Sequence, residues 1–144
     1  MHKFDKNHLR SILNEVKTIA IVGASSNPDR DSYKVMKFLK AFGYEVFPVN
    51  PNLVNTKILG QECFSSLAAI EKEIDMVDIF RSKEFIPDIT KEAIKIKAKI
   101  LWMQSGLVSQ EAESLGENAG MLVVMDECPK IILGDLNYND LEES

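Results

Sequence analysis

Five short apolar runs punctuate this chain, at Thr18–Gly23, Glu45–Val49, Met76–Phe80, Ile100–Met103 and Met121–Met125. Each is rich in Val, Ile, Leu, Met or Phe, and none alternates cleanly with polar residues. Strands covered on both faces have this pattern, because neither face meets water. Between the runs, apolar positions step at helical spacing. Tyr33, Met36, Leu39 and Phe42 share one face of a helix over Ser32–Phe42, which Gly43 closes. Residues 1–16 hold an N-terminal helix, over Lys6–Val16, that turns Leu9, Ile12, Leu13 and Val16 toward the sheet edge. Ser65–Ile70 is a short helix, and Asp88–Ala98 a longer one with Ile89, Ala93 and Ile96 inward. A last helix covers Ser109–Ala119, with Ser109 as N-cap and Gly120 as stop.

Strands alternating with helices require right-handed crossovers and a parallel sheet. The predicted fold is therefore α/β: a doubly wound parallel five-stranded sheet, order 3-2-1-4-5, with helices on both faces. Ligands of such sheets bind outside the strand carboxyl ends where the order reverses, here between the first and fourth strands. Repeats, low-complexity segments and Pro/Gly-rich linkers are absent, so residues 1–144 read as one domain, with a frayed acidic tail over Asn137–Ser144.

Composition narrows the function classes. A 144-residue chain with 45% hydrophobic and 27% charged residues builds a core without disulfide or metal staples. The net charge of −5 argues against a nucleic-acid binder, which needs a basic face, but permits one anionic small ligand held by backbone N–H groups. Cys63 and Cys128 are far apart, and both histidines, His2 and His8, precede the first strand, so no zinc site or Ser-His or Cys-His pair is predicted. Without a signal-peptide core or a membrane-length apolar run, the chain reads as cytoplasmic, with reduced thiols.

The chemistry lies at the strand ends. Thr18–Gly23 runs into Ala24-Ser25-Ser26-Asn27-Pro28, and the next helix starts soon after. A strand, a small-residue turn and a helix N-terminus together hold phosphate through N–H groups and the helix dipole. The turn keeps only the first glycine of the G-x-G-x-x-G dinucleotide fingerprint. Arg30 and Lys34 add positive charge nearby, tempered by Asp29 and Asp31. Asn50-Pro51 stands where an NAD-binding domain carries its ribose carboxylate. Phe80 and Arg81 follow the third strand and Gln104-Ser105-Gly106 the fourth, while Trp102 reads as core. Asp126-Glu127-Cys128-Pro129-Lys130 follows the fifth, where Cys128 has no histidine to activate it and reads as a small packed residue before a proline turn.

Taken together, K-T-I-A-I-V-G-A-S-S-N-P-x-R, G-Y-E-V-F-P-V-N-P, I-L-G-Q-E-C-F-x-S-L, D-M-V-D-I-F-R, W-M-Q-S-G and V-M-D-E-C-P-K resemble the small stand-alone CoA-binding proteins. The same Rossmann-like domain opens the succinyl-CoA synthetase α subunit and the ADP-forming acyl-CoA synthetases. The resemblance runs from about Lys17 to Lys130 in order. It implies that Gly23, Ala24, Ser25 and Ser26 approach the CoA phosphates, with Arg30 and Lys34 as charges for the 3′-phosphate or diphosphate. Asn50 and Pro51 then border the adenosine, and Phe80, Arg81, Gln104 and Gly106 the diphosphate and pantetheine path. Acyl transfer in the synthetases needs a phosphohistidine from another domain, which this sequence does not supply.

The expected function is binding of coenzyme A or an acyl-CoA without chemistry of its own. No metal, nucleic acid or membrane is expected, and a protein partner is left open. The alternatives are an NAD(P)-dependent oxidoreductase, an acyl-CoA activity through Cys128, or a regulatory interaction module with a vestigial pocket. A mixed disulfide between Cys128 and CoA is a further option. Ser25→Asp and Gly23→Val are both expected to weaken CoA binding and leave the fold intact.

Overall fold

The computed structural model describes residues 3–134; the predicted tail over Asn137–Ser144 lies outside them. In chain order the elements are α1 (Lys6–Asn14), β1 (Thr18–Val22), α2 (Asp31–Phe42), β2 (Glu45–Val49), β3 (Lys57–Ile58), β4 (Gln61–Glu62), β5 (Met76–Ile79), α3 (Ile86–Lys95), β6 (Ile100–Met103), α4 (Gln110–Asn118) and β7 (Leu122–Val124). Five parallel strands form one sheet, and β3–β4 is a separate two-stranded hairpin. The predicted helix over Ser65–Ile70 is a single 3-10 turn, Leu67–Ala69. The proline turn expected after Cys128 is instead the start of a helical segment over residues 129–134.

The sheet is covered on both faces, as its unalternating strands predict. Along β1, Ile19 and Ile21 enter one apolar cluster and Ala20 and Val22 the other. Strand β6 divides the same way, with Ile100 and Trp102 on one face and Leu101 and Met103 on the other. The first face carries Leu9, Ile12 and Leu13 of α1 with Val35, Met36 and Leu39 of α2. Helix α1 thus lies on the sheet's face and not at its edge, where Leu9 and Leu13 meet a broader apolar surface. Ile86, Ile89 and Ala93 of α3 and Ala112 of α4 cover the second face. A buried Leu or Ile contributes about 1.5–3 kcal/mol, so this two-sided burial is the main support of the fold. Trp102 is fully buried, and its indole N–H donates to the Glu127 carbonyl at 2.8 Å.

The doubly wound parallel sheet is the predicted one, with one strand placed differently. Its order is β2-β1-β5-β6-β7, so the third long strand pairs with β1 and not beyond β2. The switch point accordingly falls between β1 and β5. Two local features account for this. The outer edge of β2 is taken by Phe64, whose N–H donates to the Pro48 carbonyl at 2.9 Å and whose carbonyl accepts from Asn50 N–H at 2.9 Å. Pro48 also offers no N–H on that side, and proline belongs on edge strands.

The second feature is a latch at the sheet's lower end. Asp75 accepts from the backbone N–H of Lys17 at 2.8 Å and of Thr18 at 3.3 Å. The Thr18 hydroxyl donates to the Glu73 carbonyl at 2.8 Å. These bonds tie the entrance of β5 to that of β1. Burial alone would raise the Asp75 pKa, but the two backbone N–H groups and the Lys99 ammonium outweigh it and hold the carboxyl below its usual range.

Replacing Asp75 by Ala should cost about 1.5–3 kcal/mol in urea denaturation at pH 7, the worth of hydrogen bonds to a charged group. Because the folded-state pKa is depressed, this stabilisation is present above the unfolded value of about 3.9. It fades as pH falls through the folded value. Wild type and variant should therefore converge in acid, and a gap that is constant from pH 7 to pH 3 would rule out the latch.

Candidate functional site

The carboxyl ends of β1, β2, β5 and β6 open onto a cleft of about 1090 Å³ beside the start of α2, at the upper end of the range for small-molecule sites. Its floor is the turn after β1. There the N–H groups of Gly23 and Ala24 both donate to the Val49 carbonyl, at 3.0 and 3.3 Å. They bind the turn to β2 and are not offered to a ligand. Gly23 has φ +90°, and a Cβ on it would lie 2.6 Å from the Phe80 carbonyl oxygen. The glycine is thus required by the close passage of β5 as well as by the turn.

The rest of the loop is tied to itself. Ser25 Oγ accepts from Asn27 N–H at 3.0 Å, and Asn27 Oδ1 from Asp29 N–H at 3.0 Å. Among the described residues no hydrogen bond engages the Ser25 and Ser26 N–H groups. Arg30 is the N-cap of α2 and supplies no side-chain capping bond, so the first-turn N–H groups are open where Asp31 and Ser32 line the cleft. Open N–H groups and the positive helix end attract an anion. Arg30 and Lys34 line the same end and strengthen that field, while the Asp29 and Asp31 carboxylates weaken it.

Asn50 is a brace. Its Nδ2 donates to the Ala24 carbonyl at 2.9 Å and its Oδ1 accepts from Asn52 N–H at 2.9 Å, joining the tip of β2 to the loop of β1. Phe80 and Arg81 stand on the other side of that loop, with the Arg81 guanidinium 4.2 Å from the Phe85 ring centre, a cation–π contact that holds the arginine at the rim. Gln104 closes the β6 end and is buried. Cys128 lines the far wall with Lys130 and the exposed Ile131.

Ten of the residues expected at the site line this cleft: Gly23, Ala24, Ser25, Ser26, Arg30, Lys34, Asn50, Phe80, Arg81 and Gln104. Pro51 and Gly106 do not. Pro51 starts the 3-10 turn Pro51–Leu53, and Gly106 donates its N–H to Asp126 Oδ1 at 2.6 Å, so each shapes an exposed turn beside residues that do line it. Sequence reasoning passed over Asn52, Leu53 and Leu107, whose loops are carried to the cleft by turns with no periodic signal. It also passed over Asp78, a carboxyl fully buried in the middle of β5, where burial pushes its pKa well above the usual range. The signal was an Asp inside a run of apolar residues. Among the described residues no group of His, Cys, Asp and Glu is arranged to hold a metal ion, and no helix is long and apolar enough to cross a membrane.

Comparison with known proteins resolves the family. A model of the CoA binding domain matches residues 17–134, the sheet and every wall of the cleft. The chain belongs to the CoA-binding domain family. Its relatives include protein YneT of Bacillus subtilis (strain 168), 39% identical over 131 residues that make up 91% of this chain and 96% of that one. The α subunit of ADP-forming acetate–CoA ligase I from Pyrococcus furiosus is 30% identical over 105 residues, 70% of this chain but 22% of the subunit. The chain therefore spans about a fifth of that subunit. Among solved structures, a hypothetical protein from Pyrococcus horikoshii OT3 superposes with a TM-score of 0.88 at 35% identity, covering 93% of each chain. Cell-free ID.343 from Thermus thermophilus gives 0.87 at 32% identity, covering 92% of this chain and 99% of that one. In this CoA-binding domain, the cleft of the Rossmann-like sheet lies at the β1–β5 switch point.

The packing at Gly23 changes what a substitution there should do. Gly23→Val is expected to damage the fold itself, since its side chain meets the β5 backbone. In urea denaturation even Gly23→Ala should cost about 2–4 kcal/mol from positive φ and steric overlap. Gly106→Ala, at φ +86° with nothing within 4 Å of the added carbon, should cost only about 1–2 kcal/mol. Equal losses at the two positions would mean that the approach of Phe80 is not limiting.

Proposed function

We propose that this protein binds coenzyme A or an acyl-CoA in the β1–β5 cleft and performs no chemistry of its own. The observation that carries the proposal is the uncapped start of α2 beside the unengaged Ser25 and Ser26 N–H groups, with Arg30 and Lys34 at the same end. That is a phosphate site within a member of the CoA-binding domain family. The diphosphate lies over Ser25 and Ser26, the adenosine toward Asn50 and the β2 tip, and the pantetheine arm runs past Phe80 and Arg81 toward Gln104. Arg30 and Lys34 meet the 3′-phosphate or the diphosphate.

Two features support this over a nicotinamide nucleotide. The tip of β2 offers Asn50 where a ribose carboxylate would stand, and both ends of its amide are occupied by backbone. The turn after β1 presents Ser25 and Pro28 where the dinucleotide fingerprint has its second and third glycines. Cys128, the thiol in the cleft wall, has no histidine near it in sequence, which supports binding and not acyl transfer. The ligase activity belongs to much larger proteins and is not carried over. A cytoplasmic location with reduced thiols fits two free, buried cysteines.

Titration calorimetry with CoA, dephospho-CoA, NAD and NADP tests the proposal. CoA should bind saturably and at least tenfold more tightly than NAD; equal affinities, or no saturation at millimolar CoA, would refute it. Ser25→Asp should weaken CoA at least tenfold through repulsion of phosphate, with the thermal midpoint almost unchanged. Of Arg30→Ala and Lys34→Ala, the one that removes the 3′-phosphate contact should also abolish the preference for CoA over dephospho-CoA.

A further inference from the structure

One polar pair in the sheet is not accounted for by the phosphate site. Asp78 is fully buried on β5, in register with Ile21 of β1 and Trp102 of β6, on the apolar face that they share. Its carboxyl is met by Gln104, whose amide lies 3.0 and 3.2 Å from the two carboxyl oxygens. Gln104 is itself 7% exposed and lines the cleft, whereas Asp78 does not. The carboxyl therefore stands behind the glutamine, and the glutamine separates it from the ligand space.

We propose that Asp78 is a positioning residue, which fixes the Gln104 amide as a hydrogen-bonding group for the amide-bearing pantetheine arm. This deepens the CoA proposal and rests on it. The pair is satisfied with the amide nitrogen toward the carboxyl, Nε2 donating to Asp78 Oδ1 at 3.0 Å and to Oδ2 at 3.2 Å. That bond leaves Gln104 Oε1 to accept from an amide N–H of the arm. A freely rotating glutamine would present either end, and the bond to Asp78 removes that choice.

The position suits the arm and not the nucleotide. Neighbouring strands are about 4.8 Å apart, so the tip of β6 is about 10 Å from that of β1, on the side away from β2. The adenosine is directed toward β2, and the chain that leaves the diphosphate the other way meets Gln104 in its amide-bearing part.

Calorimetric titration with CoA and with adenosine 3′,5′-bisphosphate, which keeps nucleotide phosphates but lacks the arm, separates the outcomes. Asp78→Leu should weaken CoA five- to tenfold and leave the bisphosphate unchanged, while Asp78→Asn, whose Oδ1 can still accept from Gln104 Nε2, should retain CoA affinity. Gln104→Leu should reproduce the loss, and the double variant should lose no more than either single one. Should Asp78→Leu fail to fold, Gln104→Leu and Asp78→Asn still decide, because neither places an apolar group at the sheet's centre. Equal losses for both ligands, full CoA affinity in Gln104→Leu, or failure of Asp78→Asn to retain affinity would overturn the positioning role while CoA binding stands. A wild-type protein that binds neither ligand would overturn both proposals.

Discussion

The contact between Gly23 and the Phe80 carbonyl governs the upper end of this molecule. It lets β5 pass against the turn after β1 closely enough that any side chain at Gly23 would collide with backbone. The Val49 carbonyl holds the same turn from the other side by accepting two N–H groups. Between them the turn has little freedom, and the tips of three strands are set relative to one another. The cleft is the space that this packing leaves between the strand ends and the start of α2. Its shape comes from backbone, which explains why a cleft of this volume is built with so few committed side chains.

The electrostatics are similarly local. A net charge of −5 would repel a phosphorylated ligand if it were spread evenly. At the cleft the uncapped helix end, two open backbone N–H groups, Arg30 and Lys34 are gathered at one end, with Asp29 and Asp31 beside them. Away from that end the walls change character. Phe80, Leu107 and Cys128 offer apolar surface, and Gln104 offers an amide.

The legible and illegible parts of the chain differ for identifiable reasons. Elements that bury residues at a regular period were visible: α2, α3, α4 and the five long strands each carry an apolar pattern that only one geometry can hide. The hairpin β3–β4 was not, because two-residue strands have no period, and its turn uses Leu59 at φ 52°, which propensity disfavours. Strand order was misplaced by one step although Pro48 advertised an edge. A missing N–H is informative only when its direction is known, and that depends on which neighbour the strand has.

At the site the same division holds. The sequence by itself determined that five strand ends meet, that a small-residue turn precedes a helix, that this turn is no dinucleotide fingerprint, and which family motifs it carries, since these depend on residue type and spacing. Only the tertiary structure decided that Gly23 and Ala24 spend their N–H groups on Val49, that Asn50 braces the loop after β1 through the Ala24 carbonyl, that the Gly106 N–H donates to Asp126, and that the Gln104 amide meets Asp78. Each of those facts concerns the direction of a hydrogen bond between segments distant along the chain. Direction across such a gap is fixed by packing, and no local pattern encodes it.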